Sequence, residues 1–340
     1  MDTAAESQEA LVRAICERYK VGEHYVRAYL RQMFEEGKAV YPTLQEILCL
    51  PPPQSVWFEY WMNTNQRAEQ SWHAIDPLLP VGARRYLDIG CGVGGSLLAA
   101  HRRGLEVHGI EIDPERIELG EANCCDAGLQ GVIQPADILD EELVDQLGCF
   151  DVITLMSVIE HVLDVSLTLK HVTRLLNPGG ILFMEIPNRE CPSFVAADPH
   201  FSLFGITLLE RTEAMAYQKI FFNTEYDVGD YFPLEFYIDQ LEKAGCQTRL
   251  QLKSSTALGR LMLAPLLLAR LERGYVRYRQ RTHPRLDTNL ASSICLRFEC
   301  YLKGLFRNLL DRPWRLTDPQ ALVVRHLLSV WVVVAQKKRN

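Results

Sequence analysis

A glycine-rich stretch behind an apolar run and an acid is the part of the chain whose residue types and spacing point most directly to chemistry. In LDIGCGVGG, Asp88 precedes Gly90, Gly92 and Gly94, and a helix is predicted to follow over Ser96–His101. The glycines allow the backbone to turn sharply against a ligand, and the free N–H groups of the helix would point at it. A carboxylate here repels a pyrophosphate and attracts a cationic amino-acid or sulfonium group. The pattern therefore indicates S-adenosylmethionine rather than a dinucleotide.

A second acid stands at the end of the next apolar run. Glu111 lies 23 residues after Asp88, where a side chain is placed to accept hydrogen bonds from a ribose diol. Asp137 follows a short third run, at the position expected for an adenine edge. The predicted strands are Tyr86–Ile89, Leu105–Ile110, Val132–Ile133, Phe150–Met156 and Ile181–Ile186, with a turn at Pro178–Gly180 before the last. Because helical segments separate these strands, we expect a parallel sheet with right-handed crossovers.

Four blocks of the chain together resemble the class I S-adenosylmethionine-dependent methyltransferases, in the small-molecule branch that includes ubiquinone-type O-methyltransferases. They are LDIGCGVGG, GIEIDP, FDVITLMSVIEHV and LLNPGGILFMEIPN, and the resemblance covers residues 84–188 and resumes over 233–252. It implies an α/β, Rossmann-like fold with a seven-stranded, mostly parallel sheet, its last strand antiparallel and helices on both faces. With the glycine loop, it implies S-adenosyl-L-methionine as cofactor, bound by Asp88, Gly90, Cys91, Gly92, Gly94, Glu111, Ile112, Asp137, Ile138, Met156 and Ser157.

Methyl transfer to a hydroxyl requires that the acceptor oxygen is positioned in line with the methyl group and that water is excluded. A base that takes the hydroxyl proton assists the reaction. His161 follows the fourth strand, near the sheet edge where open α/β folds bind ligands, and is the first candidate. His200, in the aromatic stretch ADPHFSLF, is the second. In ubiquinone-type relatives an acid three residues before a Glu-His pair joins the pair in binding a divalent ion. Here that position is Ser157, so no tightly bound metal is expected.

Length and composition are compatible with one catalytic domain that carries additions. The chain has 340 residues, 48% of them hydrophobic. We predict an N-terminal helical cap over 1–80 and a methyltransferase core over 81–252 that contains an inserted segment at 189–230. A basic helical insertion over 253–326 then precedes a final core strand and tail at 327–340. The acidic, polar N-terminus is unlike a secretory signal, and the longest apolar runs are shorter than the ~20 residues of a membrane span, so a cytoplasmic protein is predicted.

The insertion before the last strand has a charge opposite to that of the rest of the chain. Residues 253–315 contain 13 Lys or Arg and four acids, a balance of +9, while the whole chain carries −7, which leaves −16 elsewhere. Within it, an apolar run leads into an arginine-rich one over 257–281. Three interpretations stay open: a helical cap packed on the core, peripheral contact with an anionic membrane or a lipid-like anionic ligand, and a phosphate-rich partner. No RNA-binding motif accompanies the arginines, which disfavours nucleic acid.

The sequence therefore predicts in-line methylation of an oxygen on an apolar or lipid-linked small molecule. Methylation of a nitrogen, or of a sugar or natural product, is the alternative among enzymes. A non-catalytic, cofactor-binding scaffold subunit is the alternative outside enzymes, and the intact Asp88, glycine loop and Glu111 argue against it. The sequence does not predict the acceptor or the oligomeric state.

Overall fold

The structure, a computed structural model, describes residues 3–33, 42–51, 54–252, 259, 262–310 and 323–339. A run of helices comes first, and strands alternate with helices from Arg85 onward. The strands are β1 Arg85–Ile89, β2 Glu106–Glu111, β3 Ile133–Pro135, β4 Phe150–Met156, β5 Leu176–Pro187, β6 Cys246–Leu250 and β7 Val330–Lys337. The α-helices in the described ranges are α1 Thr3–Tyr19, α2 Glu23–Met33, α3 Leu44–Leu48, α4 Gln54–Met62, α5 Thr64–Ile75, α6 Gly95–His101, α7 Pro114–Cys125, α8 Glu141–Leu147, α9 Val165–Leu175, α10 Pro192–Ala196, α11 Arg211–Lys219, α12 Leu234–Lys243, α13 Ala264–Arg277 and α14 Thr288–Leu310.

The strands form one seven-stranded sheet in the order β3-β2-β1-β4-β5-β7-β6. β1 pairs in parallel with both β2 and β4, and Asp88 lies opposite Gly109 on one side and Thr154 on the other. The parallel strands are apolar along most of their length because helices cover both faces of such a sheet. The observed sheet confirms the predicted fold class.

β5 and β7 run antiparallel, as predicted for the last strand. Near the start of β5, the Leu176 carbonyl accepts a hydrogen bond from Lys337, and just past its end the Asn188 N–H donates to Ser329. The predicted turn at Pro178–Gly180 is wrong, because β5 already begins at Leu176. Gly179 adopts a φ of +85°, which lets the backbone bend there without ending the strand.

The chain divides into two compact units. The first comprises Met1–Leu155, Leu167–Phe183 and Gln336–Asn340, and the second comprises Met156–Ser166 and Met184–Ala335. This division cuts across the sequence-based domain boundaries, which remain a prediction. Parts of the predicted N-terminal cap, at 34–41 and 52–53, lie outside the described residues, as do parts of the predicted basic insertion, at 253–258, 260–261 and 311–322.

In the first unit, the N-terminal helices pack on the segment that follows β1. Their buried side chains, including Ile15, Tyr25 and Phe58, share one apolar cluster with Val93 of the glycine stretch and Leu119 of α7. The Trp72 indole is fully buried and donates a 2.9 Å hydrogen bond to Ser96 Oγ at the start of α6. These helices therefore support the loop between β1 and α6.

In the second unit, the segment after β5 and the basic helices share a core. Val195 and Phe204 pack in one buried cluster with Leu271 of α13 and Phe298 of α14. A Cβ atom on Gly274 would lie only 2.7 Å from the Ala196 carbonyl oxygen, so α13 can approach α10 this closely only with glycine there. Within the described ranges, no helix combines the length and the apolar character needed to cross a membrane.

Candidate functional site

The loop after β1 turns through a series of left-handed glycines. Gly90, Gly92 and Gly94 have φ values of +66°, +53° and +76°, which favour glycine over other residues. A Cβ atom on Gly92 would have no neighbour within 4 Å, so the backbone there borders open space. This geometry fits a loop that lies directly against a bound molecule.

Asp88 is buried beneath this loop. Its Oδ1 accepts a 2.6 Å hydrogen bond from the Thr154 hydroxyl, and that hydroxyl also lies 2.5 Å from the Tyr86 hydroxyl. Burial raises the pKa of Asp88 to about 7, while the hydrogen bonds from Thr154 and Tyr86 act in the opposite direction. A cationic ligand group next to this carboxyl would favour its ionised form.

Glu111, at the end of β2, is joined to the same loop by backbone hydrogen bonds. Its Oε2 accepts from the Gly92 N–H at 2.8 Å, and its Oε1 accepts from the N–H groups of Ile112 and Asp113 at 2.8 and 3.1 Å. The side chain is only 4% exposed. A carboxylate has about four acceptor sites, so the three backbone donors leave about one for a ligand hydroxyl.

The other predicted cofactor residues occupy different surroundings. Cys91 and Ile138 are buried, whereas Ile112 is 70% exposed. Asp137 accepts a 2.9 Å hydrogen bond from the Leu139 N–H, which shapes the turn after β3. The assignment of these residues to the cofactor stays a prediction.

Met156 and Ser157 follow in the second unit, where β4 ends. Ser157 adopts a φ of +56°, a conformation uncommon for residues with a side chain. Such strain often occurs where a functional site requires a particular backbone direction. The contact of both residues with the cofactor remains a prediction.

The second unit brings Glu160, His161 and His200 together. One potential ligand atom from each residue lies within 4.8 Å of those from the other two. The His161 and His200 rings meet edge to face with centroids 5.0 Å apart. The sequence suggested the two histidines separately as base candidates, and the structure places them side by side.

His161 has a fixed hydrogen-bond partner. Its Nδ1 lies 2.9 Å from the Asp227 carbonyl oxygen, which can only accept, so Nδ1 carries the proton and Nε2 is left with its lone pair. The Asp227 carboxylate Oδ2 lies 3.7 Å from Nδ1. The neighbouring Gly229 N–H donates to the Glu160 carbonyl at 2.6 Å, and a Cβ on Gly229 would lie 2.6 Å from the Val162 carbonyl.

His200 is positioned by a buried turn. The Asp198 carboxylate accepts hydrogen bonds from the N–H groups of His200, Phe201 and Leu203. His200 Nδ1 is 3.6 Å from Asp198 Oδ2 and has no hydrogen-bond partner among the described residues. This buried ring nitrogen therefore remains available to a ligand.

Two acids of this unit, the buried Glu160 and the partly buried Glu185, have raised pKa values. Burial raises the pKa of Glu160, while His161 and His200 partly offset that rise, and burial also raises the pKa of Glu185 on β5. Just past the end of β5, the Asn188 amide donates to the carbonyls of Arg325 and Leu328.

Several residues that shape the site were not identified from the sequence. Thr154 lies within an otherwise apolar run, and its position opposite Asp88 in the register of β1 and β4 is the signal that could have identified it. Asp227 and Gly229 lie in a polar stretch without periodicity, about 65 residues beyond His161, and no local pattern indicates them.

Comparison with known proteins adds a family relationship. A profile described as a methyltransferase domain matches residues 49–251. The chain is similar to the ubiquinone biosynthesis O-methyltransferase of Paracidovorax citrulli (strain AAC00-1), with 34% identity over 124 residues, 36% of this chain and 52% of that protein. It is 33% identical to the protein of the same name from Xanthomonas axonopodis pv. citri (strain 306) over 134 residues, 37% of this chain and 55% of that protein.

The chain thus spans about half the length of the curated relatives that it matches. Among solved structures, it is similar to a SAM-dependent methyltransferase from Archaeoglobus fulgidus, with 14% identity, a TM-score of 0.44, and coverage of 83% of this chain and 98% of that chain.

Proposed function

Because this chain belongs to the methyltransferase domain family, we propose that it transfers a methyl group from S-adenosylmethionine to an oxygen of an apolar or lipid-linked small molecule. The observation that carries the proposal is the pair of buried carboxylates, Asp88 and Glu111, at the ends of adjacent strands with the left-handed glycine loop after β1. S-adenosylmethionine supplies, when bound, an electrophilic methyl group on a sulfonium. The residues must bind it, orient the acceptor and take up a proton.

Asp88 and Glu111 would recognise two different parts of the cofactor, its amino-acid group and its ribose. The Asp88 carboxyl, buried and hydrogen-bonded to Thr154, would pair with the cationic amino group. Glu111, fixed by the N–H groups of Gly92, Ile112 and Asp113, would accept from the ribose diol. The open space beside Gly92 leaves room for the ligand against the backbone.

His161 is the proposed general base for the acceptor hydroxyl. Its Nδ1 is held by the Asp227 carbonyl, so the ring keeps one orientation and Nε2 can accept the proton as the oxygen attacks the methyl carbon. The imidazolium that results has the Asp227 carboxylate 3.7 Å from its Nδ1. His200 touches the same ring and is the second candidate.

Aromatic side chains beside the histidines support an apolar acceptor. His200 is followed by Phe201, whose ring stacks on Tyr226 with centroids 5.5 Å apart and also contacts Phe222 at 5.6 Å. Phe222 remains 37% exposed. Flat apolar surface next to a base candidate suits a ring-bearing or prenylated hydroxyl compound better than a sugar.

The experiment that tests this function is a methylation assay with isotope-labelled S-adenosylmethionine and matched acceptors. A prenylated phenol, its short-chain phenol, its aniline analogue and a sugar would each be offered, and the methylated atom identified by mass spectrometry and NMR. We expect methylation at oxygen and a preference for the prenylated phenol. Methylation at nitrogen of the aniline alone would overturn the oxygen assignment, and cofactor binding without turnover on any acceptor would favour a scaffold subunit.

An exposed face of α13 supports peripheral contact of this enzyme with an anionic membrane. Leu266, Arg270, Arg273 and Arg277 recur at helical spacing and are exposed, while Leu271, Gly274 and Tyr278 on the opposite face are buried in the shared core. Among the described residues, none of these three arginines forms an ion pair with an acid, and the Nε atoms of Arg273 and Arg277 donate to carbonyls of the helix. Apolar residues next to unpaired cations suit an anionic lipid surface, from which a lipid-linked acceptor would be drawn.

A further inference from the structure

We propose that Glu160, His161 and His200 bind one divalent transition-metal ion, with His200 supplying the ligand that an acid at the position of Ser157 supplies in the resembled family. The three ligand atoms lie within 4.8 Å of one another. Ligand atoms on one tetrahedral zinc ion lie about 3.4 Å apart, so side-chain rotations that close the separations by up to about 1.4 Å bring the three into range. The site differs from the family pattern in its third ligand, which comes from the segment after β5.

The buried carboxylate is the first independent argument for a cation. Glu160 is 3% exposed, and its Oε2 has no hydrogen-bond partner among the described residues. A buried carboxylate without partners is costly, and the cost is offset when the group is paired with a cation. The nearby Glu185 adds a second acid to the same surroundings. A divalent cation would neutralise this concentration of acidic groups.

The orientation of His161 is the second argument. Its Nδ1 donates to the Asp227 carbonyl at 2.9 Å, which leaves Nε2 as the nitrogen that can bind an ion. Metal-binding histidines usually donate their other ring nitrogen to a protein oxygen in this way. His200 lies edge-on to this ring and is fixed by the turn at Asp198, so both imidazoles are positioned before any ion binds.

The donor set also selects the kind of ion. Two imidazoles and one carboxylate suit Zn²⁺, Co²⁺, Mn²⁺ or Fe²⁺, whereas Mg²⁺ and Ca²⁺ prefer oxygen donors alone. Replacement of the family's acid by Ser157 removes an oxygen donor, and His200 adds a nitrogen donor. The site should therefore bind zinc or cobalt far more tightly than magnesium. His161 Nε2 cannot bind the ion and act as the general base at the same time, so the proposed base role belongs to the metal-free protein. A bound ion would instead supply a Lewis acid that lowers the pKa of the acceptor hydroxyl.

Metal binding can be measured without any methylation assay, so its failure is separate from failure of the proposed methyl transfer. The untagged full chain is stripped with a chelator and titrated with Co²⁺ and Zn²⁺, followed by visible absorption and calorimetry. We expect one equivalent of either ion, and no competition from millimolar Mg²⁺. His200→Ala should weaken binding at least tenfold, while His24→Ala, a substitution of an exposed histidine outside the cluster, should leave it unchanged.

A cysteine variant keeps the test decisive if His200→Ala is poorly folded. His200→Cys retains a metal ligand, and a cobalt-thiolate charge-transfer band should appear only if this position contacts the ion. The proposal is overturned by the absence of Co²⁺ and Zn²⁺ binding at 100 micromolar ion by the wild-type chain, by full affinity in His200→Ala, or by a folded His200→Cys that binds cobalt without that band.

Discussion

The Asp88 carboxylate accepts a 2.6 Å hydrogen bond from the Thr154 hydroxyl, and the two residues are register partners on the parallel strands β1 and β4. Both are buried, and the Tyr86 hydroxyl completes the group at 2.5 Å from Thr154 Oγ1. The surroundings thus offer Asp88 neutral donors. Burial outweighs them and raises the pKa of Asp88 to about 7. A cationic ligand would have to bring the missing positive charge.

The affinity for S-adenosylmethionine should therefore depend on pH. Below a pH of about 7, Asp88 is protonated in the free protein and must lose its proton to pair with the cofactor's ammonium group. We expect affinity to rise about tenfold per pH unit up to pH 7 and then to level off. Calorimetry in buffers of different ionisation enthalpy should detect one proton released at pH 6. An affinity that is flat between pH 5.5 and 8, with no proton release, would contradict this assignment.

Asp88 should also make the free protein less stable at alkaline pH. Its pKa is raised on folding, from about 4 to about 7, so the native state binds more protons between these values and its stability falls as pH rises through this window. Asp88→Asn removes the charge and should raise the melting temperature above that of the wild type at pH 8. At pH 4 the two should melt at nearly the same temperature. A variant that melts below the wild type at pH 8 would refute the argument.

Glu111 should contribute to cofactor affinity through its charge. Glu111→Gln keeps one acceptor oxygen, but its NH₂ group must face either the Gly92 N–H or the N–H groups of Ile112 and Asp113. It also loses the charge-assisted hydrogen bonds to the ribose. We expect S-adenosylmethionine binding to weaken by about 1.5 to 3 kcal/mol. Glu106→Gln is the matched control, since this exposed acid lies on the same strand. Unchanged affinity in Glu111→Gln would remove the ribose assignment.

The parallel strands could be predicted from the sequence because their signals are local. The bounds of β4 match the prediction, since FDVITLM is a continuous apolar run between polar segments. The glycines after β1 likewise indicate, by their residue type and spacing, the left-handed backbone conformation that the structure has there. At Pro178–Gly180 the same reasoning failed. Proline and glycine usually end a strand, but here a single left-handed glycine bends β5 and the strand continues.

The cluster of the second unit could not be predicted as a cluster. His161 and His200 are 39 residues apart, and the segment between them has no repeat that would set their separation. Their contact depends on Asp198, whose carboxylate folds the turn, and on the close approach that Gly229 allows. These are tertiary constraints on single residues. Sequence periodicity carries no information about them.

His161 should matter for turnover and little for cofactor affinity. In chelator-treated protein, His161→Ala should lower kcat by about a hundredfold or more, because the base is lost, while calorimetric binding of S-adenosylmethionine changes little. Asp227→Ala is the matched control, since it removes the carboxylate 3.7 Å away but keeps the backbone carbonyl that orients the ring. We expect that variant to lose less than tenfold. Turnover of His161→Ala within threefold of wild type would mean that positioning alone suffices.

The exposed face of α13 should bind anionic membranes and not neutral ones. Each arginine near such a surface contributes about 1 kcal/mol, and less as salt rises. Flotation at low salt should recover the protein with phosphatidylglycerol-containing liposomes but not with phosphatidylcholine alone, and 0.5 M NaCl should release it. The basic residues should account for most of this binding, with the exposed leucine adding a salt-resistant part.

Two triple variants with the same change in net charge distinguish binding through this face from a general effect of the protein's net charge. Arg270, Arg273 and Arg277 changed together to Gln should abolish recovery with anionic liposomes and leave cofactor binding intact. The same change at Arg18, Arg31 and Arg102, which are about half exposed but have acidic partners, should leave recovery unchanged. An equal loss of liposome recovery in both variants would mean that net charge alone accounts for the binding. Failure of the wild-type protein to float with anionic liposomes at low salt would leave α13 as a helix of a packed cap.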